Sequence, residues 1–206
     1  MQRRTLLALG GGAVIVAAGA GYGAWRALSP ADRFAACRPG ATIGQADIGG
    51  PFTLISEDGR ETTSAELIDK PTLLYFGYTF CPDVCPTDSA RNVQALNLLE
   101  ERGIEAQIAF VSVDWPRDTP ETLATFTDYF HPRMIGLTGT KERIEAAVRA
   151  WRAFYRIPAE RGDSYEVDHS AFTYLVLPDS GFATFFRRET TPGEIAETTA
   201  CFVARA

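Results

Sequence analysis

Two rhythms of apolar and polar residues run along this chain. Residues 72–78 (TLLYFGY) and 108–113 (IAFVSV) are almost unbroken apolar runs. Such segments fit strands covered on both faces, as in a parallel or mixed sheet packed between helices. Residues 172–177 (FTYLVL) and 182–186 (FATFF), parted by PDSG, predict a β-hairpin. A second hairpin is predicted from residues 52–56 and 61–63 around Glu57-Asp58-Gly59, and residues 134–137 form a short strand candidate.

Between these strands the period changes to that of a helix. Residues 64–69 read as a short helix, and residues 89–102 carry Val93, Leu96 and Leu99 at helical spacing before Gly103. Thr119 followed by Pro120 opens a helix reaching about Phe130, and residues 140–155 are amphipathic. Thr191 and Glu194 form a capping pair for a last helix. The polar stretch 156–170, with Pro158 and Gly162, reads as a loop or an exposed hairpin. The order is a hairpin, then β-α-β-α, then a hairpin and a helix. It predicts an α/β fold of thioredoxin-like (glutaredoxin/peroxiredoxin-type) architecture. A mixed sheet is flanked by helices, with an extra N-terminal β-hairpin and one inserted helix and loop.

The first thirty residues follow neither rhythm. Arg3 and Arg4 precede Leu6 to Trp25, a chargeless run rich in Ala, Gly, Val and Leu, and no acidic residue occurs before Asp32. Residues 1–30 therefore read as a secretory signal or a membrane anchor, and the twin arginine points to export of a folded protein. Residues 31–45 read as a stem linker and residues 46–206 as the folded domain. The expected location is the periplasmic side of an inner membrane, anchored or released. Without Arg3, Arg4 and Arg26, 17 basic residues face 26 acidic ones, a balance of −9. A domain so acidic lacks the footprint of a nucleic-acid binder.

Export changes the meaning of the four cysteines, Cys37, Cys81, Cys85 and Cys201. In an oxidising compartment an even count permits disulfides, and the sequence leaves open whether Cys37 and Cys201 pair. The segment FAAC at residues 34–37 loosely resembles a lipoprotein box, but Asp32 and Arg33 separate it from the apolar run.

Cys81 and Cys85 lie in GYTFCPDVCPT (residues 77–87), after the first buried strand and before a helix. Two thiols this close can bind a thiophilic metal together or close into a disulfide. The local backbone has two readings: a helix with Cys81 as cap and Pro82 first, or one starting at Pro86 with both sulfurs on a stiff loop. Only two histidines exist. His169 precedes the strand near Phe172 and could reach the sulfurs. Two thiolates and an imidazole suit Cu(I), and with a further ligand Cu(II), whereas a structural zinc site would want a fourth protein ligand. Asp168 is a candidate to orient His169 by a hydrogen bond. His131 and Asp83 read as solvent-facing residues. A peroxidase-like reading wants a Thr or Ser with an Arg around one cysteine, and no convincing set is present.

Four separated runs, GYTFCPDVCPT (77–87), SVDWPRDTP (112–120), IGLTG (135–139) and VDHS (167–170), resemble the Sco/SenC family. The likeness covers roughly residues 45–204, with Trp115 as a small departure within the second run. It implies a membrane-tethered, thioredoxin-like copper chaperone that helps assemble the binuclear copper site of cytochrome c oxidase. The ligands it implies are Cys81, Cys85 and His169, and the partner is the oxidase subunit bearing that site; the copper donor stays unidentified. It equally permits a thiol-disulfide reductase, with Cys81 attacking and Cys85 resolving, that keeps the recipient's cysteines reduced.

Overall fold

The computed structural model describes residues 32–38, 48–159, 162 and 164–206. The chain divides into a unit ending at Ala35 and a unit from Ala36 to Ala206. The expected signal or anchor, and most of the stem, lie outside the described residues. Among the described residues no helix is long and apolar enough to cross a membrane.

A seven-stranded mixed sheet forms the core. Its strands are β1 (Thr53–Ser56), β2 (Glu61–Thr63), β3 (Thr72–Gly77), β4 (Gln107–Ser112), β5 (Met134–Thr138), β8 (Thr173–Leu177) and β9 (Gly181–Phe186). Their spatial order is β2-β1-β5-β4-β3-β8-β9. The central β3, β4 and β5 are parallel, and β1 and β8 join this trio antiparallel on either side. Every residue of β3 and β4 is buried, as their continuous apolar runs require. The N-terminal hairpin and the C-terminal hairpin both form where the pattern predicts them.

Helices α1 (Ser64–Leu67), α2 (Val84–Glu100), α3 (Pro120–Phe130), α4 (Lys141–Ala150) and α5 (Pro192–Val203) fill the connections. Capping boxes open α1, α3 and α5, with Thr63, Thr119 and Thr191 as caps. Helix α2 packs on α5, and α3 lies against β5.

The amphipathic stretch 140–155 does not stay helical throughout. Arg152 adopts a positive φ of 52°, the Ala153 N–H donates to the Val148 carbonyl, and the Arg152 N–H to that of Arg149. This is a Schellman stop, normally signalled by glycine. With arginine there, the pattern carries no stop signal. Tyr155–Arg156 instead becomes β6, which pairs antiparallel with β7 (Asp168–His169) in a separate two-stranded sheet. This pairing matches the hairpin alternative for the stretch, with His169 on a strand.

Cys37 and Cys201 form a disulfide, so the short segment around Cys37 is bonded to α5 across a sequence separation of 164. Closing so long a loop removes much freedom from the unfolded chain. We expect Cys201→Ser to lower unfolding free energy by about 2–4 kcal/mol, measured by urea denaturation under non-reducing conditions. An unchanged midpoint would show that this crosslink does not constrain the unfolded ensemble.

Candidate metal centre

The strand β3 ends at Gly77, and the chain turns through residues 78–83 into α2. Two bonds from the next loop steady this turn. The Val113 N–H donates to the Gly77 carbonyl at 2.8 Å, and the Thr79 N–H to Asp118 Oδ2 at 2.9 Å. Asp118 also accepts from the hydroxyls of Thr79 and Ser112.

Helix α2 begins at Val84, between the two starts that the sequence suggested. Asp83 is its N-cap but makes no side-chain capping bond. The Cys85 N–H, one of the donors a helix start leaves unpaired, donates instead to Cys81 Sγ at 3.3 Å. Pro86 occupies the third helical position, where an absent N–H loses no helical bond. Cys85 remains helical although a proline follows it. Its burial, at 0 % exposure, fixes the local backbone more strongly than the proline perturbs it.

Gly77 makes that burial possible. A Cβ at this position would lie 2.9 Å from Cys85 Sγ, 2.8 Å from a Tyr75 ring carbon and 3.0 Å from one of Phe110. The Tyr78 N–H reaches Cys85 Sγ at 3.5 Å. Below the sulfur, the Tyr75 hydroxyl donates to Asp88 Oδ2 at 3.0 Å, and Asp88 pairs with Arg91 at 3.3 Å. Arg91 donates to the Arg187 and Arg188 carbonyls and to Thr173 Oγ1. One face of the first turns of α2 is therefore a buried polar network rather than an apolar stripe. The sequence reading missed Tyr75, Asp88 and Arg91. The available signal was the recurrence of polar residues at helical spacing on the face that continues as Leu96 and Leu99.

His169 reaches the dithiol from β7, opposite Tyr155 in the pairing register. Its Nε2 lies 3.4 Å from Cys85 Sγ. Its Nδ1 is 3.1 Å from the Ser170 carbonyl oxygen, which can only accept, so Nδ1 is the nitrogen that carries hydrogen. In the neutral ring Nε2 then presents a lone pair to the sulfurs. Tyr78 and Tyr75 pack edge-on against the imidazole, with centroids 5.7 and 6.1 Å away. One donor atom each from Cys81, Cys85 and His169 lie within 4.8 Å of one another.

Asp168 does not orient His169. Successive residues of a strand point to opposite sides, and the Asp168 carboxylate is exposed and paired with Arg156, at 3.0 Å to Nε. The Ser170 carbonyl fills the orienting role instead. His131 lies apart from the group, at the end of α3, and its Nδ1 accepts from the Arg133 N–H. Asp83 is exposed.

The two thiols differ sharply. Cys81 is drawn down to about 3 from an ordinary 9.0, first by the hydrogen bond from the Cys85 side chain. Partial burial opposes the shift; the N–H groups of Cys85 and Asp83 add to it, as does the His169 ring when Nε2 also carries a proton. Burial, with the Cys81 charge beside it, pushes Cys85 upward. The pair holds one proton, with thiolate at Cys81 and thiol at Cys85. Burial and the negative groups nearby also raise the Tyr78 hydroxyl to about 12, which keeps it protonated. Two sulfurs, one already ionised, and an imidazole lone pair can together hold a soft, thiophilic ion.

The family model for SCO1/SenC matches residues 40–204. The chain belongs to the SCO1/SenC family. Protein SenC of Rhodobacter capsulatus is 50 % identical over 191 residues, covering 93 % of this chain and 86 % of that protein. Protein SCO1 homolog 1, mitochondrial, of Arabidopsis thaliana is 40 % identical over 152 residues, 73 % of this chain. The chain spans 46 % of that relative's length. The crystal structure of Arabidopsis thaliana ScoI with copper bound superposes with a TM-score of 0.72 at 36 % identity. It covers 76 % of this chain and 99 % of that one. The thioredoxin-like mixed sheet is thus the family's architecture.

Two measurements probe the geometry. Because the folded Cys81 titrates far below its ordinary value, the stabilisation from its thiolate is lost as pH falls through about 3. It grows with rising pH and is complete only above the ordinary value of 9.0. Cys81 should accordingly alkylate at a nearly constant rate between about pH 5 and 8, with Cys85 protected, as read by peptide mass mapping. A rate rising tenfold per pH unit would mean an ordinary thiol. Gly77→Ala should cost about 1–3 kcal/mol and displace Cys85 Sγ, detected as loss of its protection from alkylation. A variant with wild-type protection would refute the close-approach argument.

Proposed function

We propose that this chain carries copper through Cys81, Cys85 and His169 and delivers it to the binuclear copper site of cytochrome c oxidase. The observation that carries this reading is the convergence of the three donor atoms within 4.8 Å. Support comes from the family membership and from the copper-bound Arabidopsis relative. We place the domain at the periplasmic face of the membrane, with residues 1–30 as signal or anchor and residues 31–45 as stem.

Each residue has a distinct part. Cys81 offers a thiolate before any ion arrives, and its partial exposure opens the site to an incoming ligand. Cys85 must release its proton to become the second thiolate, so capture liberates a proton and weakens as pH falls. His169 Nε2 supplies the third donor, held by the Ser170 carbonyl behind the ring. A recipient's thiolate or imidazole can replace these donors one at a time from the open Cys81 side.

A second reading is favoured by the unequal thiols, both free among the described residues while Cys37 and Cys201 are bonded. The Cys81 thiolate attacks a target disulfide, forming a mixed disulfide and expelling one target thiolate. Cys85, after losing its proton, attacks Cys81 Sγ, closes the 81–85 bond and releases the second target thiolate. The target gains two electrons and this dithiol loses them. No histidine is required.

His169→Ala separates the two readings. Losing a donor should weaken copper binding by more than the roughly 10–100-fold that loss of a ligand's supporting partner costs. Dithiol oxidation and disulfide reduction should stay near wild type. Competition titration with a copper chelator gives the first quantity and thiol quantification the second. Wild-type affinity in the variant would sink the three-donor reading. Absence of copper from the purified protein at every redox poise would favour the reductase.

A further inference from the structure

His169 and the dithiol come from segments more than eighty residues apart, and one side chain touches both. The Arg117 guanidinium carbon lies 3.4 Å from the Tyr165 ring centroid, 4.8 Å from that of Phe80 and 5.9 Å from that of Tyr78. Phe80 adjoins Cys81, and the Tyr78 ring packs on His169. Tyr165 stands four residues before His169, on the segment that carries it.

The guanidinium is itself held in one orientation. Its Nε donates to Asp114 Oδ2 at 2.5 Å and its Nη2 to the Tyr165 carbonyl at 3.0 Å. The Tyr165 hydroxyl closes the ring by donating to Asp114 Oδ1 at 2.7 Å. The Arg117 side chain is only 15 % exposed and Asp114 is fully buried. Downstream, His169 is steadied by pairing between Ser170 and Phe154. Upstream, the described residues Ala159, Gly162 and Ser164 are exposed, whereas Val167, two residues before His169, is buried.

We propose that Arg117 is the positioning residue that locks the His169 segment to the dithiol turn, with Asp114 and Tyr165 as its clamp. It holds the three donors in one place without touching them. Its planar fork suits this role, because a guanidinium can stack on a ring while donating in its own plane. A lysine keeps the charge but offers neither the plane nor the paired donors.

The proposal rests on the three-donor reading for its effect on copper, but its structural part is testable without metal. Amide hydrogen exchange of the copper-free full chain should show residues 164–170 exchanging on the order of tenfold faster in Arg117→Ala, with β3 and β4 unchanged. Arg117→Lys should behave likewise, and Tyr165→Phe, which removes one bond, should have a smaller effect. Copper affinity should drop about 10–100-fold in the two Arg117 variants. Should Arg117→Ala fail to fold, Arg117→Lys decides. Unchanged exchange at 164–170, full rescue by lysine, or equal loss of protection in β3 and β4 would each overturn the proposal. His169→Ala serves as the control. If it binds copper like wild type, the donor reading falls, while faster exchange in the Arg117 variants still supports the clamp.

Discussion

Cys85 Sγ sits where Gly77 has no side chain, and this close approach of a strand end to a helix start sets the geometry of the site. Any Cβ at residue 77 would press on the sulfur and two aromatic rings at once. With the sulfur seated there, the first turn of α2 has a fixed rotation about its axis. The Cys85 N–H then points at Cys81 Sγ, and Asp88 comes under the Tyr75 hydroxyl. The position of Cys81 follows from that helix start, and its ionisation follows from the donors converging on it. A strand position without a side chain thus governs a charge four residues along the chain.

The parts of the fold that were legible in the sequence are those where one period dominates. The runs at 72–78 and 108–113 are strands because burial on both faces leaves no room for polar alternation, and the caps Thr119 and Thr191 announce two helices. The end of α4 was not legible. Arg152 adopts a left-handed backbone without being glycine, so only tertiary contacts mark the stop. The start of α2 was half legible: the two prolines bracket it, but with Cys85 buried the helix begins at Val84, between them. At the site, the types and spacing of Cys81 and Cys85 were readable. The meeting of His169 with them depends on a two-residue pairing, Asp168–His169 against Tyr155–Arg156, too short for any periodicity to reveal. Asp168 was misread because adjacency in sequence does not mean adjacency in space on a strand.

The asymmetry of the thiols would suit metal capture and disulfide exchange alike. One sulfur is exposed enough to meet a partner and already ionised. The other is buried, protonated and within reach. A soft ion or a target sulfur would first encounter the same atom, Cys81 Sγ. What separates the two chemistries is His169, which only the metal needs, and which is held by groups outside the dithiol. The apparatus for positioning the imidazole is therefore a separable addition to the dithiol turn.

The Cys37–Cys201 bond has a mechanical consequence. Tension arriving along the chain from residues before Cys37 reaches α5 through sulfur, without first loading the hairpin β1–β2 or the sheet edge. Because α5 packs on α2, the pull is borne by the helix that backs the dithiol helix. Any such pull would be taken up at the C-terminal end of the domain, while the chain from Cys37 to Cys201 is a covalently closed ring that cannot be unravelled from its beginning.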